Sequence, residues 1–346
     1  MREITVLGLD AVLPGTVLAQ DIISSQGKVL LAEGIELTAR HIAQLRRWRI
    51  PSIEILSTGK KIADRNKFRV VYQHSVRIMN EAFETIRLFK TVPLDLLHEL
   101  AHSHISSLIN THGIITHLKE IHRHCEYTFK HSVNVAIISG ILGKWLGLPD
   151  TQLKELILAA LMHDLGKAVI PLEILNKPGK LTDEEMAVVR SHSREGYQLL
   201  IKSKRISDDI KLGVLHHHER NDGSGYPLGL SDNQINYYAK IIAVVDTYDA
   251  MTAERVYRNR LTPFCAAETI EQQMFNKFDP EICLTFLNNV RDYLLYTKVM
   301  LSNGQVGEVV YLHGSSGTRP IVKLNDGSFL DLEKHKELSI VDVIGS

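Results

Sequence analysis

Residues 156–167 read LILAALMHDLGK, an apolar run that ends in a polar pair, His163 and Asp164. Apolar residues in and just before this run recur at three- and four-residue steps, as on one face of a helix. The residues on that face are Leu153, Leu156, Ile157 and Ala160. The spacing predicts a buried helix that carries an imidazole and a carboxylate to the rim of a helical core.

Other apolar segments of the chain also have a histidine or an aspartate at one end. These residues are His131, His192, His217, His218 and Asp246. Gathering several imidazoles and carboxylates at one core is costly unless something pairs them. Neutral imidazole nitrogens and ionised carboxylate oxygens are ligands for divalent ions, and one carboxylate can bridge two ions about 4 Å apart. The pattern therefore predicts a metal site, with two-metal hydrolysis as its chemistry.

Composition narrows the class of protein. The 346 residues include 40 Lys plus Arg and 40 Asp plus Glu, which argues against a nucleic-acid polymer or a membrane surface as partner. Three scattered cysteines without a CxxC pair favour a reducing compartment. The first ten residues, MREITVLGLD, lack the basic head and unbroken apolar core of a signal peptide. We expect a cytoplasmic protein.

The chain divides into four predicted segments and is mainly α-helical. Residues 1–60 are predicted to be a small α/β unit for sensing or docking, and residues 61–118 a helical linker. Residues 119–298 are predicted to be the helical catalytic domain, and residues 299–346 a small β appendage with a hairpin turn at Asn325, Asp326 and Gly327. The linker helices could equally form homodimer contacts or belong to the core, and the sequence leaves these alternatives open.

Three motifs carry a resemblance to a known family. HDLGK (163–167), HHERNDGSGYP (217–227) and VVDTYDAMTAERVYR (244–258) occur in the order and spacing of the HD-GYP branch of the HD hydrolase superfamily. The resemblance spans residues 120–294, about half of the chain. It implies an HD-type all-helical catalytic domain and a metal-dependent phosphodiesterase acting on cyclic di-GMP.

The resemblance also implies roles for individual residues. Asp164 would bridge two metal ions and, with Lys167, act in catalysis, while Lys167, Arg255 and Arg258 would bind substrate phosphates. Asp249 and Glu219 would hold other site residues in place without binding the metal. The implied metal ligands are His131, His163, Asp164, His192, His217, His218 and Asp246. One ion would take the group His131, His163, Asp164 and Asp246, and the other would take Asp164, His192, His217 and His218.

One position departs from the pattern of those family members that hold a third metal ion. They have a carboxylate four residues before the first ligand histidine, where this chain has Tyr127, and Glu126 would point elsewhere because a helix turns about 100° per residue. We therefore expect a binuclear site and linear pGpG, rather than GMP, as the main product. Iron or manganese is the favoured metal, and zinc, cobalt or nickel also suits this ligand set.

The glycine-rich end of the second motif is predicted to be a rigid loop beside the metals. Gly223 and Gly225 would permit backbone angles that other residues resist, and Pro227 would stiffen the exit. The loop of Gly225, Tyr226 and Pro227 could then contact a protein partner. Two alternatives to an active phosphodiesterase stay open: a cyclic di-GMP receptor with little turnover, and an HD hydrolase for another cyclic dinucleotide.

Overall fold

The computed structural model describes residues 4–9, 12, 14–23, 29–31, 34–56, 58–110, 127–253, 261–313 and 318–344. Arg255, Arg258 and Glu126 therefore lie outside the described residues. Tyr127 opens a helix, but its side chain is not among those described.

Short strands and one helix form the N-terminal unit. Their bounds are β1 Ile4–Gly8, β2 Thr16–Val17, β3 Ile22–Ile23, β4 Val29–Leu31, β5 Glu36–Leu37, α1 Ala39–Arg47 and β6 Ser52–Leu56. The strand pairs β1–β6, β2–β5 and β3–β4 are all antiparallel. Leu18, Leu37 and Leu45 are fully buried in a core that belongs to this unit. The predicted α/β unit is confirmed.

The next helices pack against the central helices of the chain. They are α2 Thr58–Phe89, α3 Leu94–Glu99, a π-helical turn Leu100–Ile105 and α4 Ser106–Ile109. Pro93 separates α2 from α3, as its missing N–H and fixed φ predict. Tyr72, Met79 and Phe83 of α2 are buried in the same apolar cluster as the helices that follow. The described part of this segment, from Phe68 to Ile109, thus contributes to that core, while the predicted boundary at residue 118 lies outside the described residues.

Helices also make up the part of the chain between residues 127 and 294. Their bounds are α5 Tyr127–Trp145, α6 Asp150–Met162, a 3₁₀ turn Leu165–Val169, α7 Leu172–Leu175, α8 Asp183–Arg190, α9 His192–Leu200, α10 Asp208–His216, a 3₁₀ turn Asp232–Gln234, α11 Tyr237–Thr252, α12 Pro263–Gln273 and α13 Pro280–Leu294. Within the described ranges, no helix has the length and hydropathy that crossing a membrane requires. The mainly α-helical fold is confirmed.

Helix α5 lies at the centre of this domain. All its side chains from residue 131 to residue 142 are buried, because α6 and α11 pack on it from different sides and α2 adds a further contact. A helix buried on every side is the expected centre of a bundle. Its neighbours α6 and α11 are themselves largely apolar, so their polar residues emerge together where the apolar core ends.

The C-terminal strands form one antiparallel sheet. Their bounds are β7 Lys298–Leu301, β8 Val306–Leu312, β9 Pro320–Leu324, β10 Phe329–Asp331 and β11 Ile340–Ile344, in the order β10-β9-β8-β7-β11. The predicted hairpin joins β9 to β10, with Gly327 at φ 87°. Arg319 pairs with Glu268 of α12 at 2.9 Å, and Val299, Val309 and Val322 join the helical core. The sheet is therefore packed onto the helices of the preceding domain.

Gly166 allows the 3₁₀ turn after His163 and Asp164 to lie directly against α9. A Cβ atom at this position would be 1.9 Å from the carbonyl oxygen of His192 and 2.6 Å from the amide nitrogen of Gly196. Backbone atoms cannot move aside as a flexible side chain can. Gly166 is therefore required by close approach, which also sets where His192 lies.

We expect Gly166→Ala to lower the free energy of unfolding by about 3 kcal/mol, since it overpacks a backbone contact. Gly8→Ala is the matched control, because nothing lies within 4 Å of the added Cβ there. Urea unfolding of both variants measures the difference. An equal effect of the two substitutions would contradict the close packing of the 3₁₀ turn on α9.

Candidate metal centre

The structure brings together all seven residues that the sequence proposes as metal ligands. They come from five places in the helical domain. Three of these places are at or next to a helix end, and the other two are within α5 and α11. The residues are His131 on α5, His163 and Asp164 after α6, His192 at the start of α9, His217 and His218 after α10, and Asp246 on α11. Two sets of donor atoms each converge within 4.8 Å, one from His131, His163 and Asp164 and the other from His192, His217 and His218. These sets follow the predicted division into two groups.

Backbone carbonyl groups orient three of the imidazoles in the same way. The Nδ1 atoms of His163, His192 and His217 each lie 2.7 Å from the carbonyl oxygen three residues earlier in the chain. A carbonyl oxygen can only accept a hydrogen bond, so each Nδ1 carries the proton and donates. The neutral form of each ring then presents the lone pair of Nε2, which is how a histidine that binds a metal is commonly held.

Two of these lone pairs face each other. His192 Nε2 and His217 Nε2 are 3.2 Å apart. Burial lowers the pKa of His192 to about 4 and holds the pKa of His217 well below its usual range, so both rings are neutral near pH 7. Two hydrogen-bond acceptors at this distance repel each other unless a cation lies near both. The arrangement therefore fits a divalent metal ion.

Asp164 lies between the two groups and turns one oxygen to each. Its Oδ2 atom is 3.4 Å from His163 Nε2 and 3.7 Å from His131 Nε2, while its Oδ1 atom is 3.3 Å from His192 Nε2. Burial alone would raise the pKa of Asp164, but the charge of Lys167 and the contact with His163 outweigh it and hold that pKa well below its usual range. Asp164 is thus an ionised carboxylate with the geometry of a bridging ligand.

The fourth imidazole has a different environment, because carboxylates contact both of its nitrogens. His131 Nδ1 donates to Asp249 Oδ2 at 2.7 Å, and its Nε2 is 3.0 Å from Asp246 Oδ1. Burial alone would lower the pKa of His131, but the hydrogen bonds to Asp246 and Asp249 raise it to about 10. A proton on Nε2 and a metal ion compete for the same lone pair, so metal binding here displaces that proton.

Two buried polar atoms of the cluster also fit a metal ion. Among the described side chains, His163 Nε2 and Asp164 Oδ1 are buried without a hydrogen-bond partner. A polar atom left unpaired in the interior costs roughly 1–3 kcal/mol, and coordination would satisfy both atoms. Imidazole and carboxylate donors suit iron, manganese, zinc or cobalt, so the donor set agrees with the family of ions expected from the sequence.

Asp249 and Glu219, predicted to hold other residues in place, do so in different ways. Asp249 is fully buried and orients His131. Glu219 is also buried, but its carboxylate accepts the backbone N–H groups of Leu228 at 2.7 Å and Leu230 at 2.9 Å. Glu219 therefore fixes the glycine-rich loop that follows it, and its described hydrogen bonds do not include a predicted metal ligand.

The two glycines of that loop act for different reasons. Gly223 has φ 77°, as predicted. The prediction for Gly225 is wrong, because its φ is outside the left-handed region. Its hydrogen-only side chain is needed for space instead, since an added Cβ would lie 2.4 Å from Glu219 Cα and 2.5 Å from the amide nitrogen of Arg220.

We expect Glu219→Gln to lower the free energy of unfolding by about 1–2 kcal/mol, because an amide oxygen replaces only one of two acceptors and leaves one N–H unpaired. Glu155→Gln is the matched control. Glu155 accepts a hydrogen bond from the Tyr238 hydroxyl, which an amide oxygen can still accept. Denaturant unfolding measures both variants, and a loss at Glu219 no larger than that at Glu155 would refute the loop-fixing role.

Lys167 and Tyr226 border the cluster on its accessible side. Lys167 Nζ donates to Asp164 Oδ2 at 2.6 Å while its side chain stays partly exposed. The ring of Tyr226 stacks on that of His218 with centroids 4.6 Å apart, and the Arg190 guanidinium lies 5.5 Å from the Tyr226 ring centre. The Lys167 ammonium thus contacts a donor atom, and the Arg190 guanidinium lies against the ring that stacks on His218, so both charges border the cluster.

Two further residues of the site were missed from the sequence. Asn134 donates from Nδ2 to Asp249 Oδ1 at 3.0 Å, and Tyr72 donates from its hydroxyl to Asn134 Oδ1 at 2.8 Å. Asn134 lies three residues after His131, so a polar residue one turn along a buried helix was a usable signal. Tyr72 is 62 residues away from Asn134 and resembles any other core aromatic residue, so its role required the structure.

Comparisons with known proteins agree with this geometry. A family model described as HD domain matches residues 116–282. A cyclic di-GMP phosphodiesterase from Pseudomonas aeruginosa is 36% identical over 265 residues, covering 76% of this chain and 61% of that protein. A 3'3'-cGAMP-specific phosphodiesterase from Vibrio cholerae is 34% identical over 168 residues, covering 49% of this chain and 36% of that protein. The chain spans less than two thirds of the length of either relative.

A solved structure shares the fold. An HDG"Y"P protein from Bdellovibrio bacteriovorus superposes with a TM-score of 0.54 at 16% identity, covering 84% of this chain and 100% of that chain. Identity at this level supports the common fold alone. The domain match assigns residues 116–282 to the HD domain family, and the three motifs resemble those of its HD-GYP branch.

Proposed function

We propose that this chain is a metal-dependent phosphodiesterase that hydrolyses cyclic di-GMP, mainly to linear pGpG. The observation that carries the proposal is Asp164, an ionised carboxylate that presents one oxygen to each of two groups of imidazoles. Two positive ions held by one carboxylate are the arrangement used by many hydrolases of phosphate esters. The similarity to named cyclic di-GMP phosphodiesterases supports the substrate.

The proposed ligands divide into the two groups already described. His131, His163 and Asp246 would share the first ion with Asp164, and His192, His217 and His218 would share the second with it. Bound divalent ions would make a coordinated water more acidic and polarise the phosphoryl oxygens. Iron or manganese is the proposed metal, with zinc, cobalt and nickel as alternatives to be separated by reconstitution.

The chain's own residues would hold the reacting phosphate. Hydrolysis forms a bond from a water oxygen to phosphorus and breaks the bond from phosphorus to the 3′ oxygen, which takes up a proton, so that pGpG keeps a 5′ phosphate. Lys167, already beside Asp164, would donate to a phosphoryl oxygen as negative charge develops there. Arg255 and Arg258, outside the described residues, are proposed to hold the second phosphate.

A second candidate substrate has a specific observation in its favour. A relative at 34% identity is named for 3'3'-cGAMP, which differs from cyclic di-GMP in one base. The metal centre contacts phosphates in either case, so this cluster does not discriminate between the bases. Cyclic di-GMP remains the first proposal because the relative that matches the larger share of this chain is named for it.

The test is anaerobic purification, metal analysis and product identification from each cyclic dinucleotide. We expect two metal ions per chain and pGpG released from cyclic di-GMP faster than linear product from 3'3'-cGAMP. Three bound ions would contradict the inference from Tyr127. Binding of cyclic di-GMP without turnover would replace the enzyme with a receptor.

Three proposals about partners and place accompany this function. A protein partner would dock on the loop formed by Gly225, Tyr226 and Pro227, the chain would form a homodimer, and it would act in the cytoplasm. Light scattering of the full chain tests the dimer.

A further inference from the structure

A chain of buried hydrogen bonds runs from the long helix α2 to a predicted metal ligand. The Tyr72 hydroxyl donates to Asn134 Oδ1 at 2.8 Å, Asn134 Nδ2 donates to Asp249 Oδ1 at 3.0 Å, and His131 Nδ1 donates to Asp249 Oδ2 at 2.7 Å. All four side chains are at least nine-tenths buried. The chain therefore joins α2, α5 and α11 inside the core, where such bonds are strong and costly to break.

The direction of each bond follows from the groups at its ends. Asp249 can only accept, so Asn134 must turn its NH₂ group toward Asp249 and its oxygen toward Tyr72. Burial and the nearby charge of Asp249 raise the pKa of Tyr72, so the phenol stays protonated and donates. Asp249 is then oriented to accept from His131 Nδ1, which leaves His131 Nε2 directed at Asp164 and Asp246.

Helix α2 is also the element that leads into the core from the N-terminal unit. It begins at Thr58, just after β6 of that unit, and Tyr72 lies fourteen residues further on, about 21 Å along the helix at 1.5 Å per residue. The N-terminal unit has its own core, separate from the one that contains Tyr72. A displacement of α2 would therefore be transmitted to Asn134 through a directional bond.

We propose that Tyr72 is a positioning residue for the metal centre, acting on His131 through Asn134 and Asp249, and that it couples the position of α2 to metal binding. The inference rests on the proposed metal site but not on the identity of the substrate. If the position of α2 changes the affinity for the metal by some factor, thermodynamic linkage requires that metal binding shift the equilibrium between positions of α2 by the same factor.

The alternative is that this bond only stabilises the fold, and Tyr238 provides the control that separates the two roles. Tyr238 is another buried tyrosine of the same domain, and its hydroxyl donates to Glu155 at 2.9 Å. Tyr72→Phe and Tyr238→Phe each remove one hydroxyl that donates to a side-chain oxygen. Only the first removal is connected to a predicted metal ligand.

The experiment is calorimetric titration of the metal-stripped full chain with Mn²⁺ under reducing conditions. We expect Tyr72→Phe to weaken the affinity for one ion about 10-fold, at the low end of effects seen for groups that orient a ligand, and Tyr238→Phe to stay within about 2-fold of the unaltered chain. Equal affinities of the two variants would overturn the proposal.

Hydrogen exchange gives a second test, which begins with the unaltered chain. Mn²⁺ should slow amide exchange in α2 around Tyr72 by about 3-fold or more, and in Tyr72→Phe this protection should be lost. Unchanged exchange in α2 on metal binding would overturn the coupling. A chain that binds no Mn²⁺ would overturn both this inference and the proposed function, whereas Mn²⁺ binding with the expected Tyr72 effect but no hydrolysis of cyclic dinucleotides would overturn only the activity.

Discussion

Asp164→Asn is expected to lower hydrolysis of cyclic di-GMP by about 10³-fold and to reduce the metal content from two ions per chain to one or none. An amide offers one neutral oxygen and one NH₂ group in place of two ionised oxygens. Whichever way it turns, either His192 or the pair His131 and His163 faces an NH₂ group in place of an oxygen, and the oxygen that faces the other side is neutral. The two groups of imidazoles then no longer share a ligand.

Asp232→Asn is the matched control for this substitution. Asp232 is also paired with a lysine, Lys240, at 2.8 Å, but it is exposed and is not one of the predicted metal ligands. Elemental analysis, a turnover assay and circular dichroism of both variants separate loss of the bridge from loss of the fold. Full metal content with full activity in Asp164→Asn would refute the proposed mechanism.

The parts of the site that follow from local sequence were predictable. An apolar helix must end where the core ends, which is why LILAALM places His163 and Asp164 at the rim. The carbonyl that fixes each of His163, His192 and His217 is three residues earlier, at the end of the preceding helix, so the Nδ1 contact is also local. The resemblance supplied the choice of His217 and His218 over His216.

The parts that depend on contacts distant in sequence were not predictable. Asp249 and His131 are 118 residues apart, and the sequence indicated that Asp249 would hold another site residue in place but not which one. The need for glycine at position 225 depends on how closely the backbone of Glu219 and Arg220 approaches it. The glycines and proline of the loop predict a turn but not that distance. The packing of residues 68–109 and of the C-terminal sheet onto the helices between residues 127 and 294 likewise arises from apolar faces that the sequence could not assign to a partner.

The three adjacent histidines permit the sharpest comparison at the proposed second ion. His217→Asn should lower activity by about 10²-fold or more and remove one ion, because the Asn amide can still donate to the Val214 carbonyl in place of Nδ1 but supplies nothing where Nε2 faced His192. His216 serves as the control. Its Nδ1 accepts from the Asn236 N–H at 3.4 Å, which an Asn oxygen can also do.

His216→Asn should therefore leave metal content unchanged and activity within about 2-fold, since the substitution keeps the acceptor that its neighbour uses. The two variants carry the same chemical change at adjacent positions of the same buried helix end, so general damage to α10 would affect both. Metal analysis and turnover assays of the two variants then show which of the two histidines binds the second ion. If His216→Asn loses the ion while His217→Asn keeps it, the assignment of the ligands from the HHERNDGSGYP motif is wrong by one residue.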